Sequence, residues 1–335
     1  MRLQQPGQKA DVVTDRNGMG IATTPTTNAH THLELSGLAR LCPSEAAPFL
    51  PWLCRSLWSA QRQTKEQIRA AIHRGIEELK ACGTTHVGDV TATWQSVEPL
   101  LASGLQGAVY LEVRGLNRTR ALRRLELAKA AIAQARTHQT HGPMQVGLAL
   151  HAPYSCHPDL VREAGKWCRI KGVPLCIHVA ESRVETELLR GESVLSSRWH
   201  TRLAARRLGV WPSVVPRLSP IAYLSSLGVL VARPLLVHAV HVTEDEIRLI
   251  ARSGCAVAHC PRSNNRLSCG RMPLERYLEA GATVYLGTES RTSSPSLDVH
   301  EEAEFAQSLH ADLVDEQRIA TLVHQPFQPT WVQRM

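Results

Sequence analysis

No apolar run in the 335 residues approaches the ~20 positions that a membrane-spanning helix needs. The first twenty residues carry neither an apolar stretch nor a cleavage-like pattern, so no secretion signal is expected. Aromatic side chains are scarce, at 4% of the chain, which leaves Leu, Val, Ile and Ala to build the core. Cysteine is present, but the C-x-x-C pair is absent. The nine cysteines, at 42, 54, 82, 156, 168, 176, 255, 260 and 269, are odd in number and irregular in spacing, which fits the reduced thiols of a cytoplasmic protein better than a disulfide frame. The H-x-E with P-C-x-x-C signature of the zinc cytidine deaminases is missing too. Lysine is thin, and the net charge of +8 rests on arginines scattered along helical segments, such as Arg118, Arg120, Arg123 and Arg124, and Arg202, Arg206 and Arg207. Scattered charge reads as a solvated surface, so no nucleic-acid partner and no membrane partner is expected.

What is present is a set of histidines at telling positions. In the stretch 28–36, NAHTHLELS, alternation along an extended strand points His30 and His32 the same way, so both can face one cation. His178 follows Val173-Pro174-Leu175-Cys176-Ile177, His238 follows Pro234-Leu235-Leu236-Val237, and His259 ends Cys255-Ala256-Val257-Ala258. Glu289 follows the run from Ala282 to Thr288. Each lies at the C-terminal end of a short apolar run, where a barrel of parallel strands places its chemistry.

The pattern along the chain agrees. Residues 1–20 are polar and lack a core pattern, and are expected to form a mobile arm. Strands are expected at 21–28, 85–89, 107–113, 145–150, 173–177, 234–238, 255–259 and 282–287. Helices should run through 44–58, 64–81, 94–102, 119–138, 157–171, 243–252, 273–280 and 297–310, followed by a shorter one to 323. Thr64 with Gln67 three residues on has the form of a capping box, and Gly172 that of a helix stop. Residues 192–228, with Trp199, Trp211, Pro212, Pro216 and Pro220, read as an excursion over the barrel mouth, and 324–335 as an irregular tail. Eight strands alternating with helices predict an α/β fold, a (β/α)8 barrel over residues 21–323.

The motifs NAHTHLELS (28–36), GTTHVGDV (83–90), HAPYSC (151–156), IHVAES (177–182), LVHAVHVTEDEI (236–247), AHCPRSNNRLSCGR (258–271) and LGTES (286–290) resemble, in order and spacing, the metal-dependent amidohydrolases, and within them the nucleoside and triazine aminohydrolases. The resemblance covers roughly 25–320 and is strongest to adenosine-type deaminases. It implies one divalent ion, zinc before iron, held by His30, His32, His178 and the acidic residue after the last strand. Family members carry Asp there, and this chain has Glu289. It implies that Glu181 shuttles protons, that His238 orients the attacking water, that Glu289 takes a proton from it, and that His151 contacts substrate. Trp58 and Arg62 are candidates for stacking on a base or pairing an anionic tail.

The function so implied is hydrolytic deamination of an adenine-type nucleoside or related aminated heterocycle, with release of ammonia from a small-molecule substrate. Guanine and triazines are alternatives within the family, and a homodimer is one assembly option. A different class of reading also stands: a catalytically impaired or non-enzymatic barrel that still binds metal. It rests on Glu289, on the Thr-rich first strand IATTPTTN, and on flanks too short for the β-sandwich that relatives usually carry, whose absence would leave apolar surface exposed.

Overall fold

The computed structural model describes residues 24–138, 144–192 and 215–328, the short segments 12–14 and 20–22, and positions 203, 206, 207 and 209. Eight parallel strands follow one another around a single sheet in chain order. They are β1 (Thr27–Thr31), β2 (His86–Thr91), β3 (Gln106–Val113), β4 (Met144–Leu150), β5 (Leu175–Val179), β6 (Leu235–His238), β7 (Ala256–His259) and β8 (Thr283–Leu286). A parallel bridge between Thr31 and Glu289 joins the last strand's exit to the first strand, so the sheet closes as the expected (β/α)8 barrel.

The helices form because their ends are specified as well as their faces. Lys65–Ala81 opens on the Thr64–Gln67 capping box, with both reciprocal hydrogen bonds made. Glu244–Ser253 opens on another, between Thr243 and Glu246. Pro158–Lys171 stops at Gly172, whose φ of 57° is a left-handed conformation that glycine adopts without steric cost. Ile68, Ile72, Ile76 and Leu79 recur at helical spacing on the buried side of Lys65–Ala81 and pack against the strands.

Two apolar layers result. The outer one lies between strands and helices; the inner one fills the barrel with Ala29, Ala108, Ala149, Cys176 and Ala258 around Tyr110 and Tyr285. Small residues dominate the inner layer, so a few rings fill the space and aromatic scarcity is no obstacle. Phe327 closes the N-terminal end edge-on to Tyr285, at 5.3 Å between ring centroids. Tyr285 also donates its hydroxyl to the Pro326 carbonyl.

Three expectations shift. The first barrel strand does not run from 21 to 28 but begins at Thr27, because Pro25 has no N–H to give a ladder. Residues 20–22 instead pair antiparallel with 12–14 in a separate two-stranded ribbon, which occupies part of the segment expected to be a mobile arm; 1–11 lie outside the described residues. Of the excursion at 192–228, Pro220–Ser226 is a short helix capped by Ser219, while Trp199 and Trp211 lie outside the described residues, as do 329–335 of the tail.

Candidate metal centre and its cavity

Closure of the barrel is what assembles the site. The Thr288 and Glu289 N–H groups both donate to the His30 carbonyl at 3.1 Å, and the His32 N–H donates to the Glu289 carbonyl at 3.0 Å. The turn after β8 is thereby locked against the His-x-His strand. Gly287 permits this approach: a Cβ there would stand 2.9 Å from His30 Cβ and 3.0 Å from its nitrogen. Asn28 adds a second clasp, with its Nδ2 donating to Thr288 Oγ1 at 2.9 Å and its Oδ1 accepting from the Thr288 N–H at 3.1 Å.

Around that closure the side chains from four strand ends converge. His178 Nε2 stands 3.2 Å from His30 Nε2 and 3.1 Å from His32 Nε2. Glu289 reaches His30 Nε2 at 2.6 Å, His32 Nε2 at 3.5 Å and His238 Nε2 at 3.5 Å. His30, His178, His238 and Glu289 offer one donor atom each within 4.8 Å of one another, and all four are buried. His32 belongs to the same knot through its contacts with His178 and Glu289. The sequence set of His30, His32, His178 and Glu289 is therefore brought together, and His238 stands beside it with its Nε2 3.5 Å from Glu289.

The tautomers show what this knot is for. His178 Nδ1 donates to the His151 carbonyl at 2.8 Å, so its Nε2 presents a lone pair. His238 Nδ1 donates to Asn264 Oδ1 at 2.9 Å, and its buried Nε2 has no hydrogen-bond partner among the described residues, nor has Glu289 Oε2. His32 is hydrogen-bonded to the Val90 backbone. Burial, and for His30 the neighbouring His178 as well, holds its pKa well below the ordinary imidazole value. Burial likewise takes His32 and His238 down to about 3. Neutral imidazoles turning lone pairs on one another repel unless a cation lies between them, and neutral imidazole is the form that ligates. Two nitrogens about 2.0–2.1 Å from one zinc at a tetrahedral angle lie about 3.4 Å apart, close to the spacings seen. The residues present fit a divalent ion.

Glu289 is held in an unusual conformation. Its backbone is left-handed at φ 60°, as is that of His238 at φ 72°. Non-glycine residues held there cost about 1–3 kcal/mol each, and such strain gathers at functional sites. Burial pushes the Glu289 carboxyl up, but His32, His238 and His178 outweigh it, and the group ionises below its ordinary value. A carboxylate among neutral imidazoles completes a ligand set.

Glu181 is the opposite case. Burial, then the charges of Glu289 and Glu185, push its pKa well above the ordinary carboxylate value, which favours the protonated form. Its Oε1 stands 3.4 Å from His238 Nε2, and its backbone N–H donates to Glu185 Oε2 at 3.0 Å. Two carboxyls that both approach His238 Nε2 thus have their pKa values pushed in opposite directions.

A cavity of about 190 Å³ opens over this centre. Leu35, Phe49, Trp52, Leu53 and Leu57 form an apolar wall, faced by His151, Tyr154, Glu181 and Glu289. His151 lies in the cavity lining, where sequence reasoning expects it, and its Nδ1 pairs with Ser155 Oγ at 2.7 Å. Trp58 is not brought there. It lies on another face of its helix, 55% exposed, with the Arg62 guanidinium 4.4 Å from its ring centre. Glu34 lines the cavity but spends its carboxylate on Thr91, Ala92 and Thr93, accepting four hydrogen bonds at 2.8–3.1 Å, and so fixes a loop. His241 donates to or accepts from no catalytic group here and bonds the Cys269 carbonyl at 2.6 Å. Sequence reasoning missed Trp52, Tyr154, Glu112 and Arg114 in the lining. The charged pair could have been found from its place at the end of an apolar strand, in LEVRG.

Comparison with known proteins agrees with this architecture. Residues 24–326 match the model of the Amidohydrolase family. The chain is 35% identical over 306 residues to an aminodeoxyfutalosine deaminase of Deinococcus radiodurans, covering 89% of this chain and 70% of that protein. It is 29% identical over 313 residues to a 5-methylthioadenosine/S-adenosylhomocysteine deaminase of Thermococcus kodakarensis, covering 90% and 66%. The crystal structure of an adenosine deaminase from Xanthomonas campestris with bound zinc superposes with a TM-score of 0.70 at 23% identity, covering 90% of this chain and 66% of that one. The chain thus spans about two thirds of the length of these proteins. A family match over nearly the whole described barrel, on a sheet whose strand ends gather three to four imidazoles and a carboxylate, makes this chain a member of the amidohydrolase family.

Proposed function

We propose that the chain is a metal-dependent aminohydrolase that exchanges the exocyclic amino group of an adenine-type nucleoside for oxygen and releases ammonia. The observation that carries this reading is the placement of Glu181 and Glu289 on either side of His238, 3.4 and 3.5 Å from its Nε2, at the floor of an apolar-walled cavity, with burial pushing the Glu181 pKa up and the histidines pulling that of Glu289 down. Deamination of an aromatic ring requires a proton on the ring nitrogen next to the carbon under attack, and a carboxylic acid kept neutral by burial supplies it. The relatives named above are deaminases, among them one of 5-methylthioadenosine and S-adenosylhomocysteine, which supports the same substrate class.

His30, His32, His178 and Glu289 would hold the ion, with zinc as our assignment in keeping with the donor set. A divalent ion in such a set lowers the pKa of water toward ~7, so that hydroxide is available at neutral pH. His238, with its lone pair aimed inward by Asn264, and Glu289 accept the proton as water adds to the ring carbon. Glu181 gives its proton to the ring nitrogen. The C–N bond to the amino group then breaks, with the first proton taken from water leaving on ammonia and the second returning from the new ring hydroxyl to Glu181 as the carbonyl forms. Phe49, Trp52 and Leu53 exclude bulk water and pack against the heterocycle, and His151 is placed to contact it. The nine unpaired thiols, seven of them buried, support a reducing compartment and hence a cytoplasmic enzyme.

The test is ammonia release from adenosine, 5′-methylthioadenosine and S-adenosylhomocysteine, with guanine and a chlorinated triazine run beside them. Turnover of the adenine compounds is expected. Turnover of guanine or the triazine alone reassigns the substrate, and no turnover by zinc-loaded protein on any of them counts against an enzyme.

A further inference from the structure

The residue that sequence reasoning sent to the active site leads to a second one. Helix Phe49–Ala60 has two working faces: Trp52 and Leu53 wall the barrel cavity, while Trp58 and Ser59 face a separate surface cleft of about 430 Å³. That cleft is completed by Gly37, Leu38 and Arg40 from the segment after the His-x-His strand, by Arg62 and Gln63, and by Gln67, Ala70 and Arg74 from one face of Lys65–Ala81.

Its chemistry is one-sided. Three guanidiniums, Arg40, Arg62 and Arg74, line it with no Asp or Glu, and among the described residues none of the three is ion-paired. Elsewhere on this surface arginines find carboxylates readily, as Arg118 does with Asp159 and Arg248 with Asp245. Trp58 is the most exposed aromatic side chain among the described residues. Its ring remains over half exposed although Arg62 stacks on it, which leaves indole surface for a planar group. Gly37 lets the far groups close in: a Cβ there would stand 3.3 Å from Gln63 Oε1 and 3.4 Å from an Arg74 terminal nitrogen.

An aromatic platform beside unpaired guanidiniums, in a cleft of small-molecule size, is the combination that holds a base and its phosphates. We propose that this outer cleft is a binding site for a free nucleoside phosphate, the base stacking on Trp58 and the phosphates taken by Arg40, Arg62 and Arg74. The site is separate from the barrel cavity and does not depend on the reaction proposed there.

Uridine diphosphate is the probe, because uracil has no exocyclic amino group for the barrel site to remove. Calorimetric titration of the full chain is expected to show saturable binding of one equivalent, with inorganic pyrophosphate binding more weakly. Trp58→Ala should weaken uridine diphosphate about 10-fold or more, on the scale of base–aromatic stacking, and leave pyrophosphate unchanged. Arg74→Glu should weaken both, while its deamination kinetics match the parent's. Both substituted positions are on the surface, so folding is checked simply by an unshifted melting temperature. Absence of saturable binding at millimolar uridine diphosphate, or binding indifferent to both substitutions, overturns the proposal. A thymidine decamer that binds more tightly than uridine diphosphate and loses that affinity steeply with salt overturns it in favour of single-stranded nucleic acid. A dimer that Arg74→Glu dissociates, with no nucleotide bound, overturns it in favour of a second copy of the chain.

Discussion

Shortening Glu289 to aspartate, the residue the family usually carries, is expected to weaken metal binding here. Both backbone polar groups of residue 289 are committed, its N–H to the His30 carbonyl and its carbonyl to the His32 N–H, so the main chain is not free to advance. One methylene fewer withdraws the carboxylate by about 1.3–1.5 Å. The 2.6 Å contact with His30 then opens to about 4 Å, whereas ligand distances tolerate only about 0.2 Å. Losing one charge-assisted interaction in a buried site is worth about 1.5–3 kcal/mol, which corresponds to roughly 10- to 150-fold in a dissociation constant. Competition for zinc against a chromophoric chelator reads this directly in the parent and Glu289→Asp proteins. Equal or tighter binding by Glu289→Asp would refute the reasoning, because it would mean that the backbone follows the shorter side chain, or that the carboxylate is not a ligand.

Two further outcomes follow from the protonation states. Glu181→Gln should lower kcat by about 10²- to 10⁴-fold, the range for loss of a general acid, with zinc content unchanged because Glu181 lies outside the tight donor set; a kcat within a few-fold of the parent would remove Glu181 from the chemistry. Away from the metal centre, burial, with His310 and Arg271 adding to it, holds His259 neutral down to about pH 3. The unfolded chain takes up that proton below about 6.5, so this contribution is complete above pH 6.5 and is lost as pH falls toward 3, by about 2 kcal/mol at pH 5. Urea denaturation at pH 7 and pH 5 should show His259→Gln with a pH dependence smaller by that amount, and an identical dependence in both proteins would exclude the histidine as its source.

The legible part of this molecule was the part set by short periods and strand ends. Two-residue alternation placed His30 and His32 on one face, and apolar runs of four or five residues located the ends from which His178, His238 and Glu289 converge. Helix caps were equally readable, since Thr64, Gln67 and Gly172 act on their immediate neighbours. Helix phase was not. Trp52 and Trp58 are six residues apart, about 240° around a helix, and nothing local says which of them meets the cavity; tertiary packing chose Trp52, whose indole donates to the Thr292 carbonyl 240 positions away. The Thr-rich first strand misled for a related reason. Threonines on both sides of Pro25 have similar propensity, and it takes the missing N–H of Pro25 together with the pairing of Thr27 to His86 to start the ladder at Thr27. The helix Pro261–Arg266, which delivers Asn264 to His238, is too short for a periodic signal.

The most direct test of the central claim is the metal content of the purified protein followed alongside ammonia release from an adenine nucleoside. The account predicts one divalent ion per chain, activity lost in step with the ion on chelation and regained with zinc, and a His178→Ala variant that retains neither. Full turnover by metal-free protein, or an undiminished equivalent of metal in His178→Ala, would contradict it.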